Sequence, residues 1–165
     1  MLKTILLRRM SIIKLHTKIN APIERCFLLS LSVDLHKSST AQTKEKAIAG
    51  VTSGLMKLND TVTWEAKHFG MIQHMTTKIS AYENPNCFVS EMQCGPFKKL
   101  HHQHIFKVEN GITEMTDIFE LQAPSGILGK LAEFLFLKNY MKKFLVIRNN
   151  FIKEVAEGEE WRKYI

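Results

Sequence analysis

The chain has 165 residues, 45% of them hydrophobic and 24% charged, ordinary globular values that exclude wholesale disorder and a bundle of membrane helices. This length suits one domain and is enough to bury a proper core without metals or disulfides. The formal net charge is +7, but the basic residues are scattered, pairing only at Arg8/Arg9, Lys98/Lys99 and Lys142/Lys143, so no basic stripe interleaved with aromatics marks a nucleic-acid surface.

Met1 to Met10 holds one apolar run that is too brief to span a membrane and is followed by no small-residue cleavage site. Residues 1–9 are read as an N-terminal extension ahead of one domain over 10–160. Ser11–Ile19 alternates polar and apolar residues as a half-buried strand does. Asn20-Ala-Pro-Ile-Glu24 then sets a cap candidate and an early proline before Phe27, Leu28 and Leu31, which predicts a short helix. A second helical turn is predicted over Asp34–Ser39.

From Thr43 to Gln122 the pattern is one of strands separated by turn residues. They are predicted at Thr43–Ala49, Asp60–Phe69, Met71–Tyr82, Cys87–Cys94, Leu100–Glu109 and Ile112–Gln122. Asn84-Pro85-Asn86, Gly95-Pro96 and Asn110-Gly111 are the breaks, and Asn-Gly is a strong hairpin signal. After Ala123-Pro124-Ser125-Gly126 the apolar period changes to near 3.6 and holds to Glu157. Phe134, Leu137, Met141, Phe144, Arg148, Phe151 and Val155 recur at three- and four-residue steps on one face, widened by Leu131, Leu135, Leu145 and Ile152. At 1.5 Å per residue that helix is about 45 Å long, enough to cross a whole sheet. One strand, two small helices, a run of strands and one long helix is an α+β order.

Cys26, Cys87 and Cys94 form no CxxC pair, and their odd number leaves at least one unpaired, which suits a reducing compartment such as the cytoplasm. A two-residue turn at Asn110-Gly111 fixes the last hairpin: Phe106 opposes Met115, His104 opposes Asp117, and His102 opposes Phe119 on one face. The pairs Lys107/Glu114 and His101/Glu120 fall on the other. The charged pairs mark the outer face, so His102, His104 and Asp117 point inward. Burying either a His or an Asp alone is costly, whereas a hydrogen-bonded pair is tolerated. That pair reads first as a register-fixing core contact and second as a polar anchor for a ligand. Two histidines and one carboxylate are also a metal-binding combination, but same-face His on one strand is a loose signal and no metal or cofactor is expected. No pattern places Cys94 or a serine beside a His as a nucleophile. Arg148 interrupts the apolar helix face and needs a carboxylate such as Asp117 or Glu91, or a route to solvent; reaching a cavity, it would suit an acidic head group. Trp64, Phe106, Met115, Phe119, Met141 and Phe144 read as core or as the walls of an apolar pocket, and the eight methionines suit an adaptable one.

Ile19-Asn-Ala-Pro-Ile-Glu24 with Phe27, Val62-Thr-Trp64, His68-Phe-Gly70, Glu91-Met92, Gly95-Pro-Phe97, His102-Gln-His104, Thr113-Glu-Met115 with Asp117, and Pro124-Ser-Gly126 with Leu128-Gly129 carry a family resemblance. From Ser11 to Glu157 the chain resembles the SRPBCC, or START-like and Bet v 1-like, superfamily, and within it the bacterial ligand-binding, polyketide cyclase-like branch. The resemblance implies a helix-grip fold: a curved antiparallel sheet of about seven strands around a long C-terminal helix, with two short helices after the first strand and a cavity between sheet and helix. Gln103 departs from the acidic residue expected between the two histidines. The family's activities run from passive lipid or quinone binding to cyclisation and hydrolysis. The expected function is therefore non-enzymatic binding of a small hydrophobic or amphipathic molecule, with His102, His104, Asp117, Glu91 and Arg148 orienting its polar end. The rivals are a cyclase- or hydrolase-like enzyme using the His/Asp pair, and a peripheral lipid or quinone carrier. No nucleic-acid partner is expected, membrane contact is peripheral at most, and the chain is read as a monomer or weak homodimer.

Overall fold

The computed structural model describes residues 10–123 and 131–165, with the side chains of the second stretch described from residue 135 onward. Residues 1–9, the Pro124-Ser-Gly126 and Leu128-Gly129 motifs, and the side chains of Leu131 and Phe134 lie outside the described residues.

β1 (Met10–Ile19) is followed by α1 (Ile23–Leu31) and α2 (Val33–Ser39). Pro22, not Asn20, occupies the cap position of α1; the fixed φ of proline already suits a helix start, and the Asn20 amide donates instead to Glu157 Oε1 at 2.8 Å. Ser32 ends α1 and caps α2, its Oγ accepting from the Leu35 amide at 3.3 Å, a use of serine typical of helix starts. The predicted strand from Thr43 begins later, because Ala41–Thr43 forms a 3₁₀ turn and Lys44 is left-handed. β2 (Lys46–Gly50), β3 (Thr61–His68), β4 (Met71–Glu83), β5 (Cys87–Cys94), β6 (Lys99–Glu109) and β7 (Ile112–Gln122) follow, and then α3 (Leu131–Glu157).

The seven strands form one antiparallel sheet in the order β1-β7-β6-β5-β4-β3-β2. The β6–β7 register is the one the Asn-Gly turn predicts, with His104 opposite Asp117, His102 opposite Phe119 and Phe106 opposite Met115. Asn110 and Gly111 both have positive φ, 53° and 79°, as a type I′ turn requires. β1 closes on β7 along its whole length, so the His-Asp face sits in the middle of paired strands.

α3 lies against β1 and against both short helices. Among its described side chains Met141, Leu145, Arg148, Asn149, Ile152, Val155 and Ala156 are buried, at the spacing of one helix face. Leu135, expected to widen that face, is exposed, as is Phe136. Two apolar clusters flank the sheet's concave side. Phe27, Phe106, Met115, Ile152 and Val155 belong to the one beneath α1, and Ile13, Leu100, Phe119, Met141 and Leu145 to the one nearer the start of α3.

Candidate functional site

Alternation along β6 turns His102 and His104 to the concave face, and β7 presents Asp117 between them. Asp117 is fully buried. Its Oδ1 lies 2.8 Å from His102 Nε2 and 2.9 Å from His104 Nδ1. The His104 ring is turned so that an N–H at Nδ1 misses the direction of a hydrogen bond, and that contact is close but electrostatic only. Oδ2 accepts from Asn149 Nδ2 at 2.6 Å. Burial alone would raise the Asp117 carboxyl, but the two histidines beside it hold it well below the usual carboxylate range. Burial pushes the His104 ring down to about 3, aided by His102, and pushes His102 down too, against the pull of Asp117. Both rings are neutral at pH 7. Since an ionised carboxylate only accepts, the single proton of His102 sits on Nε2 and its Nδ1 is an acceptor.

Between the sheet and α3 lies a cavity of about 330 Å³, within the size range of small-molecule sites. Val62, Trp64, Met75, Ile79, Phe119, Met141 and Leu145 are among its walls, and His102, His104 and Arg148 reach it. Arg148 is 5% exposed. Among the described residues it donates only to neutral oxygens, Ser30 O at 3.3 Å and Asn149 Oδ1 at 3.4 Å. Burial lowers its pKa, against Asp117 and Glu45, yet a guanidinium stays charged. A second polar group meets the cavity from the α2 side. Glu45, its side chain 8% exposed, accepts from His36 Nε2 at 2.5 Å, and the His36 ring packs against Trp64 with centroids 4.2 Å apart and planes tilted by 34°. Burial would raise Glu45, but His36 holds it below its ordinary value. At the β3 end, His68 Nδ1 and the Tyr140 hydroxyl are 2.8 Å apart.

No protein-family model and no curated protein matches the chain. Solved structures do. A Thermus thermophilus protein superposes with a TM-score of 0.68 at 14% identity, over 88% of this chain and 99% of that one. The ZhuI aromatase/cyclase of a Streptomyces species gives 0.67 at 14%, over 90% and 94%. A START superfamily protein of Mycobacterium smegmatis gives 0.66 at 11%, over 88% and 97%, and the major latex-like protein 151 of Panax ginseng gives 0.64 at 13%, over 90% and 99%. The chain has the START-like helix-grip fold. At these identities the likeness is one of architecture.

Within the helix grip, His102, His104, Trp64, Phe119, Met141, Phe144 and Arg148 all line the cavity. Asp117 stands behind the histidines and is not itself among the lining residues. Phe106 and Met115, expected as walls, lie instead in the cluster beneath α1, where Phe106 meets the edge of Phe27 at 5.6 Å and Met115 sulfur receives the Ser30 hydroxyl at 3.6 Å. Glu91 is on the outer face: β5 turns Phe88 and Ser90 toward the cavity, and alternation leaves Glu91 beside His101, 3.8 Å away. Arg148 has neither Glu91 nor Asp117 as an ion-pair partner among the described residues. Asn149, His36, Glu45 and Tyr140 are not marked by the sequence motifs, and His68 is marked there only as part of the His68-Phe-Gly70 motif and not as a site residue. Asn149 carries a usable signal, since it stands four residues after Leu145 on the buried face of α3. Glu45 follows the left-handed Lys44 in an irregular stretch where no period reports which way a side chain points. The His102, His104 and Asp117 ligand atoms lie within 4.8 Å of one another, but Asp117 Oδ1 is already held by His102 and its Oδ2 by Asn149.

Proposed function

We propose that the protein binds a small, largely apolar molecule in the cavity between the sheet and α3, with His102, His104 and Arg148 orienting its polar end and Asp117 fixing the histidines. The observation that carries this reading is a 330 Å³ space with apolar walls and a few convergent polar groups, the usual makeup of a ligand site. The protein works as a monomer or weak homodimer in a reducing compartment, which its free cysteines suit. No helix among the described residues is long and apolar enough to cross a membrane, and in this reading membrane contact is peripheral at most. Extraction of the purified protein followed by mass spectrometry is expected to release an apolar molecule, and a neutral apolar fluorophore is expected to bind the emptied protein. Binding of no such fluorophore would remove the reading.

A second reading is an acid–base reaction on the bound molecule. It is favoured by a neutral His102 that reaches the cavity with Asp117 behind it, the arrangement of a general base and its orienting carboxylate. Turnover of a cavity ligand that disappears in His102→Gln while ligand binding survives would establish it.

A further inference from the structure

Within the ligand-binding reading just given, we infer that the molecule is an elongated amphipathic acid, its carboxylate received by Arg148. A guanidinium presents five N–H donors in a planar fork. Here two of them go to neutral oxygens at 3.3 and 3.4 Å, and no carboxylate of the described residues lies within ion-pair distance. The two buried carboxylates of the cavity region are engaged elsewhere, Asp117 by His102 and Asn149 and Glu45 by His36. A buried charge is tolerated when paired, so a guanidinium 5% exposed on a cavity wall is a receptor for an anion brought by the ligand.

One guanidinium with no lysine beside it among the described residues of the cavity wall matches a single negative charge, and its fork matches the two oxygens of a carboxylate. The rest of the ligand is set by the walls. Leu137, Tyr140, Met141, Phe144 and Leu145 line the cavity on the N-terminal side of Arg148 along the same helix. From Leu137 to Arg148 is about 16 Å of helix, longer than an extended chain of roughly ten carbons, which can therefore lie beside it along its whole length.

The test is displacement of N-phenyl-1-naphthylamine, a neutral apolar fluorophore, by decanoate and by decan-1-ol, which share a chain length and differ in the head group. Decanoate is expected to displace it at concentrations about 10- to 100-fold lower, the weight of a charge-assisted hydrogen bond. In Arg148→Met, which exchanges a buried charge for an apolar chain and is therefore expected to fold, that preference should vanish. In Arg148→Lys, which keeps the charge and loses the fork, it should shrink. Equal displacement by the two ligands, or a preference that survives Arg148→Met, overturns the acid while the cavity reading stands. A parent protein that binds neither the fluorophore nor decanoate overturns both. Should Arg148→Met fail to fold, the acid-to-alcohol comparison on the parent and on Arg148→Lys decides alone.

Discussion

At the scale of single residues, the buried histidines tie stability to pH. A His whose folded pKa is depressed stays neutral in the native state while the unfolded chain, titrating near 6.5, takes up a proton. Below that value the unfolded state binds more protons, so stability falls with falling pH. His104, at about 3 in the fold, contributes this slope from roughly pH 6.5 down to its folded value, by at most about 1.4 kcal/mol per pH unit. His102 is shifted in the same direction and adds the same sign. Asp117, depressed by its partners, stabilises the fold above its ordinary carboxylate pKa and ceases to do so only as pH drops through its folded value, so the window from pH 7 to 5 belongs to the histidines. Urea unfolding is expected to show a lower midpoint at pH 5 than at pH 7, and His104→Gln is expected to flatten that difference. An unchanged slope in the variant would mean that His104 is protonated in the fold. Asn149→Ala removes the donor to Asp117 Oδ2 and should cost about 2 kcal/mol, the weight of a buried hydrogen bond to a charged group, readable as a lowered unfolding midpoint at pH 7.

At the scale of elements, two glycines with positive φ separate backbone strain from steric conflict. A Cβ on Gly111, in the β6–β7 turn, would meet nothing within 4 Å, so Gly111→Ala should cost only the left-handed backbone, about 1 kcal/mol. A Cβ on Gly50 would lie 2.1 Å from the Thr61 carbonyl oxygen, and that oxygen already accepts the Val51 amide at 2.8 Å. Gly50→Ala should therefore destabilise by several times more, since relief requires β2 to leave β3. Equal denaturation midpoints for the two variants would contradict the close approach. The Gly111 turn is also the reason so much of the site was legible in the sequence. Once Asn110-Gly111 fixes the pairing, a period of two settles every side chain of the hairpin, and His102, His104 and Asp117 converge without further assumption. The same alternation placed Phe106 and Met115 inward but not their neighbours, because a concave sheet has both a packed end under α1 and an open end under α3. Glu91 was misplaced because its strand pairs through bulges with β4, and no Asn-Gly turn pins it. His36 and Glu45 meet only through the tertiary approach of α2 to the strand edge, which leaves no local period to read.

At the scale of the whole molecule, the question is whether sheet and helix enclose usable space or a filled core, and an added ring distinguishes them. Met141 and Phe144 line the cavity from α3, whereas Lys142 between them is exposed. In a filled core, Met141→Trp or Phe144→Trp would force neighbouring side chains off their rotamers at a typical cost of about 1 to 3 kcal/mol. In a cavity of about 330 Å³ the indole has room, and what it removes is volume for ligand. Both variants are therefore expected to melt within a few degrees of the parent while taking up less of an apolar fluorophore, and Lys142→Ala is expected to change neither property. Since the two substitutions enter the same space from adjacent turns of one helix, their effects on uptake should fall short of additive, as neighbouring sites generally do. Thermal melting and fluorophore titration on the parent, the three single variants and the double tryptophan variant decide it. Variants that melt far below the parent, alongside a parent that takes up no fluorophore, would mean that helix and sheet close on packed side chains and that the cavity is not a binding site.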